Sequence, residues 1–219
     1  MPILAKSSGG GDFENPKAGT YIARCYKLID IGTQEESFLG KPSASKRKLY
    51  MWLELLEDED GKEYRMADGQ PFSILQRYTL STFKQATLRK HIDEWRGKPL
   101  TKEEAEEFDV EKLLGKYCKV RLSLDESNDH TYVNIKDLSH TGKKPKGVKP
   151  ESSWSIDKPD MGEFAKFPEW LQIKINGSQE WTAQDGGVTV PKSGTITKGG
   201  DVVLEDLDDD PVDLDDVEF

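Results

Sequence analysis

The amino-acid sequence predicts a mainly β fold: five strands, a helical insert between the third and the fourth, and an acidic C-terminal tail. Three observations carry this. Leu49, Met51, Leu53 and Leu55, and later Cys118, Val120, Leu122 and Leu124, recur with a period of two, the mark of strands that bury one face. Between these runs Leu88, Ile92 and Trp95 recur at helical spacing. Residues 201–219 then carry ten acids and no base.

Residues 1–16, with a Ser/Gly run ahead of Asn15-Pro16, read as a flexible arm, and the body spans 17–140. A first strand over 20–31, rich in β-branched and aromatic side chains, is long enough to bend, and 32–48 reads as a polar loop ending in Lys46-Arg47-Lys48. The second strand starts at Leu49 and turns at the hairpin dipeptide Asp60-Gly61. In the third, over 71–82, Phe72, Ile74, Leu75, Tyr78 and Leu80 keep no single phase, which predicts a bulge. A helix over 84–96 stops at Gly97-Lys98-Pro99, and Thr101 with Glu104 makes a capping box for a second helix interrupted near Phe108. Strand four follows Gly115, and strand five turns Val133 and Ile135 inward. Residues 141–182 read as a Lys/Pro/Gly/Ser linker and a short apolar helix (Phe167, Trp170, Leu171, Ile173) packing back on the body. Residues 183–219 read as a disordered linker and acidic tail.

Three strands, helices, then two strands is the layout of an OB-fold, a partly open Greek-key barrel whose strand 2–3 face binds oligonucleotides. Function has to be argued from what the outward faces carry. Opposite the core positions stand Lys48, Tyr50 and Trp52, then Tyr117, Lys119 and Arg121, then Tyr132, Asn134 and Lys136. Arg47, Arg77, Tyr78, Lys143 and Lys144 complete the candidate DNA-binding set. Rings interleaved with cations suit single-stranded DNA: unpaired bases stack for roughly 1–3 kcal/mol each and phosphates pair with Lys or Arg, with no sequence required. Alternatively, the segment around Trp170 covers one of these faces and turns its rings into a second small core.

A net charge of −10 argues against a nucleic-acid partner only until it is located. The tail holds all of it, leaving 31 acids against 31 bases in residues 1–200, and residues 116–149 hold eight bases against four acids. Within the tail, Leu204, Leu207, Val212, Leu214 and Val217 punctuate the acids, and Phe219 joins an aromatic ring to the α-carboxylate. That combination suits capture by a Lys- or Arg-lined pocket around an apolar hole, with Asp208, Asp209, Asp210, Asp215, Asp216, Glu218 and Phe219 as the partner-binding residues.

The chain resembles the single-stranded DNA-binding proteins encoded by tailed bacteriophages, and more distantly those of bacteria. The residues that carry this are the tip from Asp208 to Phe219, Glu94-Trp95-Arg96-Gly97-Lys98, the stretch from Phe108 to Lys116, and Tyr132-Val133-Asn134-Ile135. The resemblance covers 17–140 and 201–219. It implies an OB-fold protein of the infected bacterium's cytoplasm that coats single strands in DNA replication, recombination and repair, while its tail recruits a polymerase or a helicase/primase. Two departures from the bacterial family, a longer helical insert and a Pro211 well before Phe219, point the tip to a phage partner. Tetramer formation is not carried over.

Enzyme signatures are absent from the sequence: there is no Walker loop, GxGxxG or GxSxG, and His91, His130 and His140 stand at no zinc-site spacing. No cofactor, metal or catalytic residue is expected. Cys25 and Cys118, each at an alternating apolar position, read as buried reduced thiols. No run approaches the ~18 apolar residues of a membrane span, and the N-terminus lacks the apolar centre of a signal peptide. Two rival classes share these features, a single-strand annealing recombination protein and a protein-binding OB module without DNA binding.

Overall fold

The computed structural model describes residues 15–38, 41–127 and 130–184. The expected arm over 1–16 lies almost wholly outside them, and the tail with Asp208, Asp209, Asp210, Asp215, Asp216, Glu218 and Phe219 lies entirely outside. Six strands make one sheet: β1 (Gly19–Phe38), β2 (Lys41–Asp58), β3 (Ser73–Thr79), β4 (Tyr117–Ser127), β5 (His130–Ser139) and β6 (Ser152–Trp154). Their order is β3-β2-β1-β4-β5, antiparallel throughout, with β6 added parallel to β1 at Lys27–Ile29. The path is open, because β3 and β5 do not pair.

Helix α1 (Thr87–Arg96) packs against β3 and β5 and presents Leu88, Ile92 and Trp95 to the core. It ends at Gly97, whose φ of 69° lets its N–H and that of Lys98 return to the Glu94 and Asp93 carbonyls. Helix α2 (Lys102–Glu106) opens with the Thr101/Glu104 capping box, and a 3₁₀ turn follows at Val110–Leu113. The main core joins the inward residues of β1, β2 and β4 to α1, with Cys25 and Cys118 buried as free thiols. Loss of hydration pushes the Cys25 thiol up to about 12 and raises that of Cys118 as well.

Three features depart from the sequence expectations. The region 32–48 is no loop: β1 and β2 stay paired out to Phe38 opposite Lys41. The bulge expected in the third strand is absent, since β2 and β3 pair from Lys48–Thr79 to Glu54–Ser73 without a shift. Its mixed phase has another cause, apolar cover on both faces: Ile74 and Tyr78 enter the main core while Leu75 packs on a second one. Register shifts fall instead in the β1–β2 and β4–β5 pairings, and β1 bends enough to pair with β4 over residues 19–24 and with β6 over 27–29.

The third departure is the stretch 141–154, which is a strap and not a free linker. Glu54 on β2 is fully buried and accepts from Arg24 Nε (2.6 Å), the Val148 amide (3.2 Å) and the Lys149 amide (2.9 Å). Arg24 in turn donates to the Lys149 carbonyl (2.5 Å) and to Glu151 (3.0 Å). At Gly147 a Cβ would stand 2.1 Å from the Arg24 guanidinium carbon, so only glycine permits this approach. Beyond β6 come α3 (Met161–Phe164), α4 (Glu169–Asn176) and α5 (Gln179–Gln184): Phe164 of α3, Phe167 between α3 and α4, and Leu171 and Ile175 of α4 join Ile29, Ile31, Tyr50, Trp154 and Ile156 in the second core, with Trp181 of α5 packed against it. Among the described residues no helix is long and apolar enough to cross a membrane.

Candidate functional site

Because β1 pairs with β2 on one side and β4 on the other, the outward residues of all five strands share one surface. The strap divides it. On the β1–β2–β3 side, Lys27 stands opposite Trp52 and Trp52 opposite Leu75, and in the next row Ile29, Tyr50 and Arg77 are aligned. Tyr50 is buried beneath Trp170, ring centroids 6.2 Å apart, and the guanidinium of the exposed Arg77 lies 5.7 Å from the Tyr50 ring centroid. Trp52 is half-buried, with Lys27 Nζ 5.6 Å from its ring and 5.2 Å from that of Phe167. Burial lowers the Lys27 ammonium pKa. Tyr26, which the alternation does not single out, takes Lys149 Nζ at 5.8 Å.

Two of the cations expected beside these rings, Arg47 and Lys48, are engaged by acids of the chain. Arg47 is held by Asp30 and by Asp157 (2.6 Å), and the Asp30 contact raises its guanidinium pKa further. Lys48 pairs with Glu36 and reaches Thr79 Oγ1 (3.3 Å). Tyr78 does not face outward: it is buried in the main core and shares a 2.8 Å hydrogen bond with His91 Nδ1. The physical reason is the period, since Tyr78 is in phase with Ile74 and not with Leu75 and Arg77.

The β4–β5 side is open. Lys119 and Arg121 are exposed and Tyr117 is half-buried, all three on the face opposite Cys118, Val120 and Leu122. Asp137 accepts from Arg121 Nε at 2.7 Å. Across the strands Ser123 faces Asn134 and Asp125 faces Tyr132, while the shift after Arg121 leaves Lys136 as the extra residue of the bulge. Lys136 and Asn134 are exposed, and Asn134 donates to Asp125 (2.5 Å). Leu124, expected inward, is partly exposed, because this end of the hairpin runs past the core.

Two clefts flank this row and meet at His140 and Thr141. One, of about 600 Å³, has Lys119, Arg121 and Lys143 facing Asp58, Glu59 and Asp137, so its charges balance. The other, of about 570 Å³, runs from Tyr117 between the end of α1, the 3₁₀ turn and the start of the strap. Its walls carry Arg96, Lys98, Lys112, Lys116 and Lys144 against Glu104 and Glu107, with Trp95, Phe108 and Tyr117 as rings. Glu104 is already engaged: Arg96 donates to both its oxygens (3.0 and 2.7 Å) and the Thr101 amide to one, holding its carboxyl near 2. The arrangement can stack planar rings and pair with anionic groups. Among the described residues no group of three or more His, Cys, Asp or Glu side chains is placed to hold a metal ion.

The structure therefore brings Tyr117, Lys119, Arg121, Lys143 and Lys144 together and sets Tyr50, Tyr78, Arg47 and Lys48 apart from them. Lys98, Phe108 and Lys112 are additions that strand alternation has no means of finding, because they sit on the helical insert. Neither a protein-family model nor a curated protein matches the chain.

Proposed function

We propose that this chain is a non-catalytic, sequence-independent single-stranded DNA-binding protein that coats strands exposed during bacteriophage DNA replication, recombination and repair. One observation supports it most: the row Tyr117, Lys119, Arg121 on β4 stays uncovered and opens, beside Lys143 and Lys144, onto adjoining clefts. Rings offer stacking to any base and Lys and Arg pair with any phosphate, so this surface suits unpaired strands without reading sequence. The five-strand path with β1 between β2 and β4, and helices between β3 and β4, supports an open barrel of OB type. On this reading the acidic tail docks a polymerase or a helicase/primase through Phe219 and its flanking Asp residues, in the cytoplasm of the infected host.

The test is a tryptophan-fluorescence titration of the full chain with an unstructured strand of ~30 nucleotides and with the matching duplex at several salt concentrations. A response to the single strand alone, weakening as salt rises, is expected. No response would overturn the reading in favour of a protein-binding module, and faster pairing of complementary strands would make it an annealing protein.

A further inference from the structure

Resting on the single-strand reading, we infer that the cleft beside the helical insert, lined by Lys98, Phe108, Lys112, Lys116, Tyr117 and Lys144, is a nucleotide subsite into which the strand turns after crossing β4. The path across the sheet toward β2 is closed. The strap lies over Arg24 and Glu54 next to Tyr117, and beyond it Trp170 and Phe167 occupy the rings of β2. A strand seated on Lys119 and Arg121 thus has its open continuation past Tyr117 into this cleft.

The cleft's chemistry matches a nucleotide of unspecified base. Its volume of about 570 Å³ lies within the ~300–1,000 Å³ of ordinary ligand sites. Phe108 and Tyr117 are each half-buried, leaving ring surface open for stacking. Lys98, Lys112, Lys116 and Lys144 are exposed and have no ion-pair partner among the described residues, whereas Arg96, the one guanidinium in the walls, is committed to Glu104. That division has a consequence for specificity. Bidentate reading of a guanine needs a free guanidinium fork, and point-charge ammoniums on flexible stems grip phosphate without regard to the base. Local geometry fixes the lysines in place: Asp109 caps the 3₁₀ turn that carries Lys112, and Gly115, at φ +72°, donates to the Cys25 carbonyl (2.8 Å) and sets Lys116 at the entrance.

The experiment uses the full chain, a single strand of ~30 nucleotides carrying 4-thiothymidine, and the double variant Lys112→Glu, Lys116→Glu, with thermal unfolding as the check that the variant folds. The expected result is a photocrosslink within the peptide 108–117 and affinity about tenfold weaker in the variant; the neutral pair Lys112→Ala, Lys116→Ala should lower the log–log salt slope by about 1.4, since each single-strand phosphate contact contributes ~0.7. Wild-type binding with crosslinks only elsewhere, and variant affinity within twofold, would overturn the subsite and leave the single-strand reading intact. No binding by the wild-type chain would overturn both. Binding of an acidic peptide ending in Phe instead of DNA, abolished by the charge reversals, would reassign the cleft to a protein ligand.

Discussion

The two halves of the sheet's outer surface carry the same alternation of rings and cations and have opposite fates. On β1–β2–β3, Tyr50 and Trp52 are incorporated into a second core with Trp154, Phe164 and Phe167, and Arg47 and Lys48 are tied to Asp30, Asp157 and Glu36. On β4, Tyr117 and Lys119 face open clefts, and Arg121, although paired with Asp137, stays exposed beside them. A period of two says which side chains point away from one core, and it is silent on whether a later segment of chain arrives to build another. Here the segment arrives roughly a hundred residues later, and Glu54 is what fastens it.

Removing that fastening should have the largest effect. Glu54→Ala leaves the buried Arg24 guanidinium with only the part-exposed Glu151 carboxylate and the Val148 and Lys149 amides without their acceptor. Breaking a buried pair in this way costs about 3–5 kcal/mol, or roughly 10 °C in Tm for a chain of this size. A Tm within ~2 °C of wild type would show that the strap is not what separates the two faces.

Next in size is a pair of truncations that should behave as mirror images. Tyr50→Ala removes a ring from the second core and should destabilise by about 3 kcal/mol in chemical denaturation. Tyr117→Ala should cost under ~1 kcal/mol of stability and instead weaken single-strand binding about tenfold, one stacked base. If Tyr50→Ala weakened binding at unchanged stability, the covered face would be the binding face, and the roles of the two faces would be inverted.

What the sequence discloses about this molecule follows from the range of the interactions involved. The alternation of β2 and β4, the 3.6-residue spacing of α1 and the Thr101/Glu104 cap are set by residues within a few positions of one another, and all are plain in the sequence. The strap and β6 depend on Glu54 meeting Val148 and Lys149, 94 and 95 positions away, and on Gly147 yielding space to Arg24, and no local period encodes either. The long β1–β2 hairpin escaped for a related reason: its polar outer portion is stabilised by Glu180 accepting from the Thr33 amide (2.6 Å) and by the Lys48–Glu36 pair, not by an apolar face. Of the candidate site, the β4 row is legible because that strand is covered on one side only, and the cleft beside it is not, because Lys98 and Lys112 come from the helical insert and only the fold brings Lys144 of the strap beside them.

Tyr78 gives the smallest and most diagnostic effect. Its hydroxyl meets His91 Nδ1 in the main core, on neither outer face, so it should matter to stability and not to DNA. Burial holds the His91 imidazole down to about 4, below its ordinary value of 6.5, so the folded state keeps the ring neutral where the unfolded chain protonates it. The contribution is fully present above pH 6.5 and is lost as pH falls toward 4, about 1–2 kcal/mol between pH 7 and pH 5. Carboxylates titrate over part of that range too, so the imidazole's share is isolated by the double variant Tyr78→Phe, His91→Leu, which replaces both partners with apolar groups and should flatten that part of the pH profile. Tyr78→Phe alone strands the imidazole nitrogen, should cost about 1 kcal/mol, and should leave the single-strand affinity within twofold. A tenfold loss of affinity in Tyr78→Phe would mean that strand β3 reaches the bound strand after all, and that the division of the sheet into a covered and an open face fails at its edge.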